Sequence, residues 1–138
     1  MRSWSRGAAL MEFALAWPIV LLLVLGAVEM SVWATEAAAA RDAALAGARA
    51  GTVAGAGVDV ATRVTLRVIS ASLVGVSASA WCPAGTRPPP ALWVCVTDRG
   101  DLLQVDVGGA VPSLVPLVRG PGLPVQAHVV LNKEKFVR

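Results

Sequence analysis

Residues 6–28 read RGAALMEFALAWPIVLLLVLGAV and decide the architecture of the chain. A basic residue and a glycine precede an almost unbroken apolar run, which contains one acid, Glu12, and one proline, Pro18. Residues 8–28 carry no other charge. At a rise of about 1.5 Å per residue they span roughly 30 Å, the thickness of a bilayer's hydrocarbon core. The run therefore predicts a transmembrane helix over residues 8–28, which Pro18 should kink or locally melt.

Glu12 is the unexpected residue of this run. A carboxylate in lipid costs several kcal/mol, and an acid inside a membrane segment is by default a functional residue. Glu12 also lies only about one turn into the span, so its side chain could instead reach the cytoplasmic interface. The residues alone leave both interpretations open.

The charges around the span predict its orientation. Arg2 and Arg6 precede the apolar run, and the first basic residue after it is Arg41. Because basic residues mark the cytoplasmic side of membrane helices, we expect the N-terminus inside and the remainder outside. The sequence thus predicts a single-pass protein of the cytoplasmic membrane, in contact with lipid.

Helical patterning continues beyond the membrane. The stretch after the span is rich in alanine, the strongest helix former, and predicts one helix over residues 8–50. Small residues recur at spacing four, at Ala43, Gly47 and Gly51. They would allow another helix to approach closely, or they would simply pack on the protein's own domain. Residues 51–57 contain three glycines and predict a hinge.

Residues 58–138 predict a small exported domain. Residues 58–73 fit a helix with three valines on one face, and they also fit a strand. Beyond them, alternating segments separated by turn signals predict strands at 74–81, 92–97, 102–107 and 125–131. The economical arrangement is an α+β fold, in which a small antiparallel sheet packs against the long helix.

Two connections of this domain carry clear turn chemistry. Residues 98–101 (DRGD) predict a tight turn, so that residues 92–107 form a hairpin. Four prolines between residues 111 and 124 predict a loop that crosses the domain surface.

The chain contains two cysteines, Cys82 and Cys95. In an exported domain a disulfide is the default for such a pair, and two free buried thiols are the alternative. With His128 as the single histidine, the spacing provides no metal ligand set, so we predict no metal.

The tryptophans fall into two groups. Trp33 lies just past Glu29 and is predicted to sit at the lipid–water boundary. Trp81 and Trp93 flank the cysteines and are predicted to belong to the core of the small domain.

The composition narrows the functional class. Hydrophobic residues make up 56 % of the chain and charged residues 15 %, which is unusual for a soluble protein. The basic residues are scattered, so we expect no nucleic-acid partner. The sequence contains no nucleophile elbow, metal motif or phosphate loop. It predicts a protein that is not an enzyme, with no cofactor and no small-molecule substrate.

The motif GAALMEF at residues 7–13 resembles the processing site of type IV prepilins. With the basic leader, Pro18 and the alanine-rich continuation, the chain most closely resembles TadE-like minor pilins, or pseudopilins, of tight-adherence (Tad/Flp) pili. The resemblance is specific over residues 6–51 and weaker beyond. A region of about 80 residues after the helix is longer than in major pilins of this type, which favours a minor component.

This resemblance implies a processing and assembly scheme. Residues 1–7 would be a leader that a prepilin peptidase removes between Gly7 and Ala8. Glu12, followed by Phe13, would then pair with the new amine of a neighbouring subunit. The implied partners are other pilin subunits and the pilus assembly platform, the implied final location is the pilus at the cell surface, and the implied role is adhesion or secretion.

Two other hypotheses stay open. Residues 13–28 could be the apolar part of an ordinary signal peptide, cut near residues 34–40 to release a secreted binding module. Alternatively, the helix could be an uncleaved anchor for an envelope protein whose outer domain binds a partner.

Overall fold

The computed structural model describes residues 4–73, 75–84, 86–113 and 122–134. Two helices are followed by a four-stranded sheet, in the order α1 (Trp4–Thr52), α2 (Val58–Ser72), β1 (Ala78–Ala80), β2 (Leu92–Asp98), β3 (Leu102–Val111) and β4 (Leu123–Asn132). The α+β class predicted from the sequence is confirmed.

Helix α1 is longer than predicted at both ends. It begins at Trp4, inside the predicted leader, and ends at Thr52, two residues into the predicted hinge. Pro18 lies within the helix and does not end it. A proline removes one backbone hydrogen bond, but the alanines and leucines on either side favour the helix strongly enough to continue it. At about 1.5 Å per residue, α1 measures roughly 73 Å.

A short turn over residues 53–57 joins the helices. Gly55 adopts a φ of +82°, a left-handed conformation that glycine reaches without steric penalty. This turn reverses the chain, so that α2 packs along the C-terminal part of α1.

Of the two interpretations of segment 58–73, the structure shows the helix. The face with Val60, Val64 and Val68 stays partly exposed. The residues that α2 buries are Ala61, Thr65 and Ile69. Small side chains at the first two positions allow α2 to approach α1 closely, and the branched valines flank this contact.

The sheet has the strand order β1-β2-β3-β4 and is mixed. β2 pairs with β3 and β3 with β4 in antiparallel fashion, but β1 runs parallel to β2. The prediction of a purely antiparallel sheet is therefore wrong at β1, and the strand predicted over 74–81 shortens to three residues. Residues 81–91 connect the two strands, contain three consecutive prolines and are too many for a tight hairpin turn. This connection leads the chain back to the end of the sheet where β1 begins, so β2 runs parallel to β1.

The predicted hairpin of β2 and β3 is confirmed. In its turn, the backbone N–H of Gly100 donates to Asp98 Oδ1 at 2.9 Å, and Gly100 has a φ of +75°. β3 also pairs with β4 as far as Val111 opposite Leu123, so the loop predicted over 111–124 connects a second hairpin. Residues 114–121 of that loop lie outside the described part of the chain.

The hydrophobic core lies between the helices and one face of the sheet. α1 covers β3 and β4, and α2 covers β2 and β1. Alternate strand residues point inward, as expected for a sheet with one buried face. The residues of α1 that the core buries completely are Ala40, Ala43, Ala44 and Ala48. The C-terminal part of α1 is thus an integral element of the small domain.

Candidate functional site

The two halves of α1 have opposite surroundings. One face of residues 40–52 packs against the rest of the small domain, whereas every residue from 10 to 28 is exposed. The large apolar residues between positions 10 and 28 keep between 43 % and 72 % of their surface accessible. An exposed apolar surface of this extent requires lipid or another apolar surface to cover it. We call residues 8–28 the apolar half of α1.

One helix in the described part of the chain is long and apolar enough to cross a membrane, and it is α1, over Leu10–Thr52. The span predicted over residues 8–28 falls largely within this stretch. Because the small domain covers only the C-terminal part of α1, the apolar half is the segment free to enter a bilayer. This arrangement is consistent with a pilin-like membrane protein.

The predicted processing site lies near the start of α1. Gly7 is exposed and, like the following Ala8, lies in helical backbone. A Cβ built on Gly7 would meet no described neighbour within 4 Å. The bond between Gly7 and Ala8 therefore lies a few residues from a helix end, where helices fray most readily.

Glu12 and Phe13 follow one turn later, and both are exposed. Phe13 stacks on Trp17, with ring centroids 5.7 Å apart and planes inclined by 23°, a contact between residues one turn apart. Among the side chains that the structure describes, none forms a hydrogen bond or ion pair with Glu12. A carboxylate in an apolar segment, without a partner among the described side chains, is suited to pair with a cation of another molecule.

Polar side chains beyond the apolar half are partly satisfied inside the helix. Ser31 Oγ donates to the Ala27 carbonyl at 2.8 Å, and Thr35 Oγ1 donates to the Ser31 carbonyl at 2.9 Å. Such bonds to the preceding turn let hydroxyl groups lie next to an apolar region. Burial, followed by the negative charge of Glu29, raises the pKa of Glu36. The transition from apolar to solvated helix therefore occurs between Val28 and Glu36.

Trp33 connects α1 to the sheet. Its indole Nε1 donates to the backbone carbonyl of Pro124 on β4 at 3.0 Å, and its ring packs against the core. The structure thus assigns Trp33 to a contact between α1 and the sheet, and its predicted place at the lipid–water boundary stays a prediction. Since Trp33 follows the predicted span by five residues, this contact attaches the small domain close to the end of the apolar half.

The small residues of α1 are used within the chain. A Cβ built on Gly47 would lie 1.8 Å from Thr65 Oγ1, and one built on Gly51 would lie 2.4 Å from Leu103 Cδ2. Ala43 is fully buried as well. Of the two uses considered for this spacing, the structure shows the packing of α1 on its own domain.

The two cysteines lie together at the edge of the sheet. Their Cα atoms are 4.8 Å apart, a separation within disulfide range. The neighbouring Trp81 and Trp93 meet edge to face, with ring centroids 5.5 Å apart. Both tryptophans are only partly buried, and Trp93 projects from the sheet face opposite the helices, because Val94 points into the core. Their predicted place in the core is therefore wrong.

Sequence reasoning missed one cluster of polar side chains. Asp106 Oδ1 lies 2.5 Å from His128 Nδ1, and Gln104 Nε2 donates to Asp106 Oδ2 at 2.7 Å. These residues come from two strands, and only the strand register places them side by side. Across the described ranges, no group of three His, Cys, Asp or Glu residues could hold a metal ion.

Within α1, the chain is similar to a known protein family. A family model described as TadE-like protein matches residues 7–49. Residues 7–49 are TadE-like. The match begins at Gly7, includes the whole apolar half and confirms the resemblance predicted from the sequence. No curated protein and no solved structure matches the chain. The TadE-like segment is thus α1 itself, and the sheet domain lies outside the match.

Proposed function

We propose that this chain is a TadE-like minor pilin, a structural subunit that is incorporated into, or primes, a tight-adherence pilus. The observation that carries the proposal is that the segment similar to TadE-like proteins contains the apolar half of α1, which no other described element covers. Lipid tails and neighbouring apolar helices are similar environments for residues 8–28. Transfer of the helix from the membrane to a helical filament can therefore be offset by packing.

In this scheme the chain first inserts with its N-terminus in the cytoplasm. Arg2 and Arg6 before the span support that orientation. A prepilin peptidase then cuts between Gly7 and Ala8 and exposes a new amine on Ala8. The position of this bond near the helix start supports access by the peptidase, since a frayed end must unwind only a few residues.

Glu12 acts after cleavage. Its carboxylate pairs with the new amine of a neighbouring subunit and so favours one register between stacked helices. The exposure of Glu12 and its position in the apolar half support this role. An ion pair within a helical bundle satisfies two charges that would each be costly alone.

The small domain then lies outside the membrane and on the outside of the filament. The proximity of Cys82 and Cys95 supports exposure to an oxidising compartment, where a disulfide forms and persists. The partners in assembly are other pilin subunits and the assembly platform of the pilus. The product of assembly is a surface fibre for adhesion or secretion.

The mature N-terminus tests this proposal most directly. Mass spectrometry of the protein isolated from its native membrane should show a chain that begins at Ala8, with or without a methyl group. A start near residue 35 would identify a secreted module, and an intact Met1 would identify an uncleaved anchor. Either of these results would overturn the pilin assignment.

Two substitutions separate processing from assembly. Gly7→Leu should leave an uncut precursor, whereas Gly26→Leu, at a helical glycine that also has open space around it, should be cut normally. Glu12→Ala should be cut but absent from sheared filaments, whereas Glu36→Ala should be incorporated. Normal cleavage of Gly7→Leu, or normal incorporation of Glu12→Ala, would contradict the respective role.

A further inference from the structure

On the sheet face opposite the helices, the indole ring of Trp93 lies over the backbone of Gly108. The strand register places Trp93 of β2 opposite Gly108 of β3. A Cβ built on Gly108 would lie 2.4 Å from Trp93 Cζ2 and 2.8 Å from Cε2. The indole therefore lies across the glycine, and any side chain at position 108 would displace it. Gln126 of β4 is opposite Gly108 on the other side.

Residues that are opposite one another on adjacent strands form rows across this face. In the row next to Trp93, Gly108 and Gln126, two hydrogen bonds fix the orientation of the Asp106 carboxylate. Asp106 is opposite His128 in the register of β3 and β4. One carboxylate oxygen lies 2.5 Å from His128 Nδ1, and the other accepts from Gln104 Nε2 at 2.7 Å. Since an ionised carboxylate can only accept, His128 Nδ1 carries the hydrogen, and Nε2 is an acceptor whenever the ring carries no second hydrogen. Each carboxylate oxygen retains a second lone pair for a further donor.

A hollow of about 300 Å³ lies between these two rows. The residues that line it are Trp93, Asp106, Val107, Gln126, Ala127 and His128. The side chain of His128 is 60 % exposed and that of Asp106 is 24 % exposed, so both can be reached from solvent. A volume of this size is at the lower limit of pockets that hold small ligands.

We propose that this hollow binds a neutral pyranose ring of a glycan. The indole of Trp93 offers a flat apolar surface to the C–H face of the sugar. Beside it, Asp106 and His128 supply acceptors, and the Gln126 amide supplies both a donor and an acceptor. Sugar hydroxyls also donate and accept, so this mixture of planar polar groups matches them.

The same residues are less suited to an organic cation. Cation recognition favours several aromatic faces around one charge. Trp81, the ring next to Trp93, meets it edge to face and does not line the hollow. The Gln126 amide N–H groups need acceptors, which an ammonium group does not supply. These features favour a hydroxylated, uncharged ligand.

The hollow lies apart from the apolar half. It lies on the sheet face opposite α1 and α2, and none of its lining residues belongs to residues 8–28. It also lies outside the TadE-like segment. The site therefore stands independently of the proposed pilin role.

A carbohydrate array tests the proposal on the full chain. The protein, reconstituted in lipid nanodiscs, is applied to immobilised neutral oligosaccharides that end in glucose, galactose, mannose or N-acetylglucosamine, with phosphocholine spots alongside. We expect retention on at least one terminal sugar. His128→Ala and Gln126→Ala, both at exposed positions, should each weaken binding about tenfold, the effect of one lost hydrogen bond of about 1.4 kcal/mol.

Two further variants complete the test. Trp93→Ala should abolish binding, whereas Val130→Thr, on the same face of β4 but outside the hollow, should bind like the unmodified protein. Thermal unfolding of each variant checks that the domain stays folded. If Trp93→Ala unfolds the domain, the effects of His128→Ala and Gln126→Ala on sugar binding decide the test. Retention on no sugar, retention on phosphocholine alone, or sugar binding unchanged by His128→Ala and Gln126→Ala would overturn the proposal.

Discussion

Gly47 of α1 and Thr65 of α2 lie so close that no side chain fits between them. A Cβ built on Gly47 would be 1.8 Å from Thr65 Oγ1 and 2.9 Å from the Ala61 carbonyl oxygen. Thr65 is fully buried, and its hydroxyl donates to that carbonyl at 2.8 Å within α2. The contact joins the TadE-like helix to the small domain through backbone and short side chains alone.

Gly47→Ala should therefore destabilise the small domain, although alanine is the better helix former by about 1 kcal/mol. Overpacking at a rigid contact typically costs about 1–3 kcal/mol, and here it outweighs the gain in propensity. The measurement is the free energy of unfolding in urea, followed by tryptophan fluorescence of the detergent-solubilised chain.

A matched control is available in the same helix. Gly26 has no neighbour within 4 Å of a built Cβ, so Gly26→Ala should leave the domain's stability unchanged. The double variant Gly47→Ala/Thr65→Ala should recover part of the loss, because it removes the nearest atom. Equal stability of Gly47→Ala and Gly26→Ala would show that the helices adjust without cost.

Trp33→Phe should weaken the attachment of β4 to α1. The change removes the hydrogen bond from the indole Nε1 to the Pro124 carbonyl but keeps an aromatic ring against the core. Loss of one such bond is expected to cost about 0.5–1.5 kcal/mol. Trp17→Phe serves as the control, since the contact of Trp17 is with Phe13 in the apolar half. An equal effect of both changes on urea unfolding would contradict the assigned contact.

Reduction of a Cys82–Cys95 disulfide should destabilise the small domain. The cysteines are 13 residues apart, and closing a loop of this length contributes about 3 kcal/mol in the chain-entropy model. Unfolding with and without reductant gives the difference, and the variant Cys82→Ser/Cys95→Ser should be insensitive to reductant. Quantitative maleimide labelling of the unreduced protein would instead demonstrate two free thiols.

Glu36 should make stability fall as the pH rises. Burial, with a smaller effect of the Glu29 charge, raises the pKa of Glu36 above its ordinary value of 4.5. The folded state then holds the proton more tightly than the unfolded state does. This contribution to stability is complete below the unfolded pKa and is lost as the pH rises through the higher folded pKa.

Glu36→Gln should consequently stabilise the protein at pH 7 and have little effect at pH 3.5. The gain should stay below about 1 kcal/mol, because the side chain is largely solvated. Urea unfolding at both pH values measures it, with Glu134→Gln, an exposed acid just after β4, as the control. A stabilisation of the same size at pH 3.5 would point to packing instead of protonation.

Local chemistry made several features predictable. The apolar run, the alanine-rich continuation and the glycine cluster predicted α1 and its turn because propensity and hydropathy act over neighbouring residues. The turn at residues 98–101 was equally clear, since Asp98 and Gly100 form it through local contacts. In the candidate site, the resemblance of residues 7–13 to a prepilin processing site was recognisable because these residues are contiguous.

The failures of prediction occurred where distant segments meet. The parallel pairing of β1 with β2 depends on how the proline-rich connection returns along the sheet edge, which no local pattern encodes. The sequence did not predict which face of α2 is buried, because this depends on the shape of α1 beneath it, where Ala61 and Thr65 are buried in preference to the valines.

The sequence by itself determined that this protein has one long helix, that residues 8–28 of it are apolar except for Glu12, and that Gly7, Glu12 and Phe13 lie near its start. These properties depend on residues close together in the chain. Tertiary structure alone decided that the small residues of α1 serve its own domain, that Trp33 binds the sheet, and that Trp93, Asp106 and His128 line one hollow. Such contacts arise from strand register and helix packing, which bring together residues far apart in sequence.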